Sequence, residues 1–150
     1  THKEIKTVAI LTTHKVLENN NLQAKISNLL DVKDVKTYTY QQFDKKNKTP
    51  KGYFSEKDFG FQGNIINTDF KRFLVTPFDL LITYFTDENQ YLELATLFSR
   101  ATFKVGFANV NSDLFDMEIV GNINNLEEFN SELTRYLKLL NKIKTPNNIG

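Results

Sequence analysis

Apolar residues follow two rhythms along this chain, and the switches between them mark its elements. Residues 5–12 (IKTVAILT) form a short β-branched run between charged and polar flanks, the pattern of a strand covered on both faces. Leu22, Ile26, Leu29 and Leu30 then recur as one stripe of an amphipathic helix, its start blurred by Asn19, Asn20 and Asn21, which are poor interior helix residues. Residues 35–41 (VKTYTYQ) alternate like a half-buried strand. From Gln42 to Ile66 neither rhythm holds.

Asn67 predicts an N-cap for a short helix through Leu74, with Asp69 placed where the helix dipole favours an acid and Pro77 ending it. Residues 78–85 (FDLLITYF) predict the most deeply buried strand. Residues 90–99 predict a helix apolar over most of its circumference, to be covered on more than one side. FKVGF (103–107) and the weaker MEIVG (117–121) predict two more strands. Asn125 with Glu128 makes a capping box, and Leu126, Phe129, Leu133, Tyr136, Leu137 and Leu140 line one face of a last helix.

Strands separated by helices argue for parallel pairing with helices on both sheet faces. The expected fold class is α/β: one Rossmann-like or flavodoxin-like three-layer sandwich, with a mostly parallel sheet of about five strands. A chain of 150 residues has room for one such domain, residues 1–150.

Composition narrows the function classes. Apolar residues at 40% and charged residues at 25% describe a soluble globular chain, with 13 Phe and 6 Tyr filling its interior. A formal charge of +1 supplies no global field to attract nucleic acid or an anionic membrane. No Cys is present, which removes disulfides, thiolate metal sites and a thiol nucleophile. No apolar run reaches the length of a membrane span, so the expected location is cytoplasmic, although a chain starting at Thr1 without Met suggests a trimmed terminus.

Candidate chemistry is sparse. Neither GxGxxG nor GxxxxGK[ST] occurs, so no dinucleotide or P-loop cofactor is expected. The two histidines, His2 and His14, have no ligand-spaced partner for a metal, and no G-x-S-x-G elbow holds a serine nucleophile. Asp58-Phe59-Gly60 matches the kinase DFG in letters only, because the other kinase motifs are missing. In LTTHK, Thr12, Thr13 and His14 either cap the first helix or face a ligand where the strand ends. Five lysines among Tyr53 and Phe54 in residues 44–58 suit a solvated loop better than a single-stranded nucleic-acid surface, given the interspersed acids.

YFSEKDFGFQGNI (53–65) carries phenylalanines that are costly to leave in water, at roughly 1.5–3 kcal/mol each. Phe59 and Phe61 share a face if the segment is extended. The segment either closes one end of the core, or presents Ser55, Asp58, Gln62 and Asn64 as a polar rim around a site.

FSEKDFGFQGNI, TPFDLLITYF and SRATFKVGF together resemble an uncharacterised family of Bacteroidetes proteins known as a domain of unknown function. That resemblance implies a bacterial, intracellular protein and brings no catalytic residues. Residues 78–107 are also similar in layout to part of the N-terminal domain of heptosyltransferase-like glycosyltransferases, where a strand ends in V-G-F, here Val105, Gly106 and Phe107. Those enzymes hold the nucleotide-sugar mainly through a second domain that these 150 residues lack. The expectation is a binding or interaction module whose partner is a small-molecule ligand or another protein. Thr12, His14, Asp87 and Asn109 at strand ends, with Ser55, Asp58 and Asn64 from the long segment, are its candidate ligand contacts. One alternative is a transferase or hydrolase with His14 or Asp58 as general base. Another is a homo-oligomer docking through an apolar patch of Phe54, Phe59 and Phe61.

Overall fold

The computed structural model describes residues 4–143, so His2 lies outside the described residues. The first strand, β1, spans Thr7–Thr13 and lies in the middle of the sheet. Val8 and Ile10 face one side and Ala9 and Leu11 the other, and all four are fully buried. That explains the unbroken apolar run: a strand covered on both faces has no solvent side to mark with polar residues.

Outward from β1 on one side come β2 (Asp34–Tyr40) and β3 (Tyr53–Phe54). On the other come β4 (Leu80–Tyr84), β5 (Lys104–Phe107) and β6 (Met117–Ile119). The order is β3-β2-β1-β4-β5-β6 and every neighbouring pair is parallel. The α/β class is therefore as expected, with six strands instead of about five. The addition is β3, only two residues long, inside the stretch that carries no periodicity. Too short to show alternation, it pairs only with Thr39 and Tyr40.

Among the described residues, five helices flank the sheet. The Asn run splits the first connection into α1 (His14–Asn19) and α2 (Leu22–Leu30). Leu22, Ile26 and Leu30 of α2 pack on the face of Val8 and Ile10, beside Leu126, Phe129, Leu133 and Leu137 of α5 (Leu126–Leu139). Phe70, Phe73 and Leu74 of α3 (Thr68–Val75) pack on the opposite face with Leu92 and Ala95 of α4 (Gln90–Phe98). Helix α4 is less enclosed than its composition suggests, because Leu97 remains 57% exposed. The caps follow the sequence: Asn67 accepts from the Phe70 N–H, Asn89 from Tyr91 and Leu92, and Asn125 from Glu128.

Side chains fasten the central pair, β1 and β4, at both ends. At the lower end the Asp79 carboxylate accepts from the Lys6 and Thr7 amides at 2.9 and 3.1 Å, while the Asp79 amide donates to the Thr7 hydroxyl at 2.9 Å. At the upper end the buried Thr12 hydroxyl donates to the Tyr84 carbonyl at 2.9 Å. The fully buried Tyr84 phenol donates to Asn130 Oδ1 of α5 at 2.6 Å, tying the sheet to its covering helix. Burial removes water from that phenol and pushes its pKa far above the usual tyrosine range.

Gly106 has a packing reason. The Phe115 ring lies where a Cβ on residue 106 would go. Gly106→Ala is expected to displace that ring and cost roughly 1–3 kcal/mol in urea unfolding. Combining it with Phe115→Ala should cost less than the two single losses added together. Additive losses would show that the ring is not the obstacle.

Candidate functional site

A cleft of about 430 Å³ lies over the carboxyl ends of β1 and β4, where the strand order reverses direction. Three segments wall it: α1 with Lys15, Val16 and Asn19, followed by Asn20; residues 85–87 after β4; and Ile123 with Asn124 ahead of α5. Local chemistry shapes each wall. Thr13 ends β1 and caps α1, its hydroxyl accepting from the Val16 N–H at 3.3 Å. Helix α1 stops after six residues as the backbone becomes extended at Asn20. The side-chain amides of Asn19 and Asn20 donate to the Lys15 and Val16 carbonyls at 3.0 and 2.9 Å. Those carbonyls belong to the broken helix, and the asparagines complete their hydrogen bonding. Val16 and Ile123 supply apolar surface, Lys15 and Asp87 one charge of each sign.

The sequence-derived candidates scatter over this end of the sheet. Asp87 is exposed and lines the cleft. Thr12 is buried against Tyr84, and its neighbour Thr13 reaches the cleft instead. His14 begins α1 but turns toward β3, its Nδ1 2.8 Å from the Tyr53 hydroxyl. Burial raises the Tyr53 pKa, with a further push from Glu18. Asn109 sits exposed in the turn after β5 with a left-handed φ of 71°. Neither His14 nor Asp58 is among the residues that line the cleft.

Ser55 and Asp58 have local duties. Ser55 caps a 3-10 turn at Glu56–Asp58: its hydroxyl accepts from the Lys57 N–H at 3.1 Å, and the Asp58 carboxylate accepts from the Ser55 N–H at 2.8 Å. Asn64 is exposed, and its carbonyl accepts from the Gly60 N–H at 2.6 Å. The segment is folded on itself rather than extended, so Phe59 and Phe61 do not share a face. Phe54 is fully buried and stacks on Phe70 at 4.3 Å, with Phe59 edge-on to both. Gln62 and Gly63, at φ of 57° and 75°, turn the chain so that Phe61 is 86% exposed. The expected patch of Phe54, Phe59 and Phe61 therefore does not exist. Phe54 belongs to the core, because β3 pairs with β2 and directs that ring under α3.

Glu56 fastens this segment to the sheet. Its carboxylate accepts from the Phe43 N–H at 3.1 Å and from the Tyr40 phenol at 3.3 Å. Burial alone would raise the Glu56 pKa, but the backbone and phenol donors outweigh it and hold the carboxyl below its usual value. The Tyr40 pKa moves the other way, to about 12, through burial and the adjacent carboxylate.

A broader groove of about 1100 Å³ runs between α2 and α5 past Lys25, Leu29, Asn130, Arg135 and Leu139. It lies along the helices, away from the strand ends where α/β sheets place ligands, so volume alone does not make it the better site. Among the described residues no cluster of His, Cys, Asp and Glu could hold a metal ion, and no helix is long and apolar enough to cross a membrane.

The profile of a protein family of unknown function (DUF6913) matches residues 1–140, and the chain belongs to that family. No curated protein and no solved structure matched the chain.

The Glu56 contacts predict a pH dependence with a definite sign. A depressed carboxyl pKa contributes stability above the ordinary value of 4.5, which is lost as pH falls through the depressed one. Glu56→Gln should therefore be less stable than wild type at neutral pH, with the gap closing on acidification in urea titrations. A gap independent of pH would contradict this.

Proposed function

We propose that this protein binds a small metabolite, uncharged or zwitterionic, in the cleft over the ends of β1 and β4. The observation that carries this reading is the coincidence of a ligand-sized cleft with the reversal of strand order. Two strands whose connections leave toward opposite sides open a crevice at their carboxyl ends, and α/β sheets use that crevice for ligands. Asp87 is the member of the sequence-derived set that supports it directly, joined by Thr13, Lys15, Asn19, Asn20 and Asn124.

The lining argues for one class of ligand over another. A phosphate group needs unspent backbone N–H donors or an excess of positive charge. Here Thr13 occupies the capping position of α1, and Lys15 is balanced by Asp87. Asn19 and Asn20 each give one of their two amide N–H groups to a helix carbonyl, and their side-chain oxygens remain as acceptors. Amino or hydroxyl groups on the ligand would meet those oxygens and Asp87, a carboxylate would meet Lys15, and an apolar body would rest on Val16 and Ile123. Free amino acids, nucleosides and small sugars fit this description. The residues act by hydrogen bonding and orientation.

Thermal unfolding against these three classes, with nucleoside triphosphates as the contrast, tests the proposal. A ligand at a hundred times its Kd adds about 2.7 kcal/mol, a rise of about 5 °C or more for a chain of this size. The rise should be lost in Asp87→Ala and Lys15→Ala and kept in His14→Ala. Silence from all three classes, or a shift that survives both cleft variants, would contradict the proposal.

A further inference from the structure

The sheet has an unfilled position at its β2 edge. Strand β3 lies alongside β2 only at Thr39 and Tyr40, although β2 begins at Asp34. The Thr39 N–H donates to Gly52 and the Gln41 N–H to Phe54, so odd-numbered residues direct their backbone groups toward the β3 side. Pairing of β2 with β1 runs without a bulge from Asp34 to Tyr40, which extends the same alternation to Val35 and Thr37. Their N–H and C=O groups therefore point to the side of β2 away from β1 along this stretch, where Val35 is 5% exposed and the Thr37 carbonyl lies beside Gly52.

A groove of about 500 Å³ runs along this stretch. Gln23 of α2 forms one wall, Asp69 and Arg72 of α3 with Thr76 just after it the other, and Lys51–Gly52 closes the end where β3 begins. Native sheets usually block an open edge with a short strand, a charge or a covering loop. Here β3 does so for the upper end alone. The lining carries Lys36, Lys51 and Arg72 against Asp69, which pairs with Arg72 at 2.9 Å, and the exposed Asp34 at the start of β2 adds a second acid beside the stretch. The excess of positive charge lies beside outward backbone donors and acceptors.

We propose that this edge is a docking slot for an extended acidic peptide segment of a partner protein, added as a strand beside Asp34–Thr37 in line with β3. Backbone pairing with Val35 and Thr37 would supply affinity, and Lys36 and Lys51 would select acidic side chains. The slot is distinct from the cleft at the strand ends: its residues are not those of the cleft, and the two proposals stand or fall separately.

The test is fluorescence anisotropy of the full chain with a labelled, acetylated peptide of alternating glutamate and valine. Thr37→Pro removes one outward N–H without breaking a bond to β1, since that donor faces away from it, and prolines are tolerated on sheet edges. It should keep the wild-type circular dichroism spectrum and weaken binding roughly tenfold. Lys36→Glu/Lys51→Glu, a surface change that leaves the backbone alone, should weaken binding by about tenfold or more and reduce its salt sensitivity. A peptide N-methylated at alternate residues should bind at least several-fold more weakly than its parent. Absence of binding at millimolar peptide would overturn the proposal, as would affinity indifferent to both variants and to N-methylation. Sedimentation showing wild-type dimers and Thr37→Pro monomers would overturn it too, by assigning the edge to a second copy.

Discussion

The hydrogen-bonded pairing of β1 with β4 is the constraint on which the rest of the structure depends. Both strands are buried on both faces, so each face of the sheet must be covered, and helices α2 and α5 do this on one side and α3 and α4 on the other. The pair is held at the bottom by Asp79 and Thr7 and at the top by Thr12 and Tyr84. The buried Thr12 hydroxyl and Tyr84 phenol would keep their full desolvation cost on losing their partners, which makes the upper contacts specific for one strand arrangement. From β1 the chain builds outward through β2 and β3, and from β4 through β5 and β6. The divergence of the connections above this pair is what leaves a cleft there.

Much of the architecture was legible because burial imposes its own pattern. A strand covered on both faces becomes a plain apolar run, and a helix covered on one face becomes a stripe. Thus IKTVAILT, FDLLITYF and the stripe from Leu126 to Leu137 correspond to β1, β4 and α5. What escaped was short or locally bonded. Strand β3 has two residues, and the chain around it is ordered by side-chain contacts, Glu56 to Phe43 and Tyr40 and Asp58 to Ser55. Single contacts of this kind, one within three residues and two across more than ten, leave no period to detect. The exposed Phe61 illustrates the limit: its direction depends on the backbone at Gln62 and Gly63. The glycine of the V-G-F stretch also finds its explanation in packing, under the Phe115 ring.

The site was less legible than the fold. That strand ends would host it followed from topology, and Asp87 was reachable by that reasoning. Residue identity elsewhere did not follow, because Thr12 and Thr13 are equivalent in sequence but point to opposite uses, one into the core and one onto the α1 cap. Asn19 and Asn20 looked only like helix breakers. The break is their contribution: it ends α1 early, their side chains complete the broken helix, and both residues come to line the cleft. Asn124 had no signal beyond its closeness to the cap of α5.

Backbone amide NMR of the full chain, followed through titration with mixtures of free amino acids and nucleosides, tests the central claim most directly, because it reports where a ligand sits without prior choice of residue. The account predicts shifts concentrated at Val16, Asn19, Thr86, Asp87 and Asn124, around the ends of β1 and β4. A map confined to the groove between α2 and α5, around Lys25, Leu29 and Arg135, would contradict it, as would a spectrum that never changes.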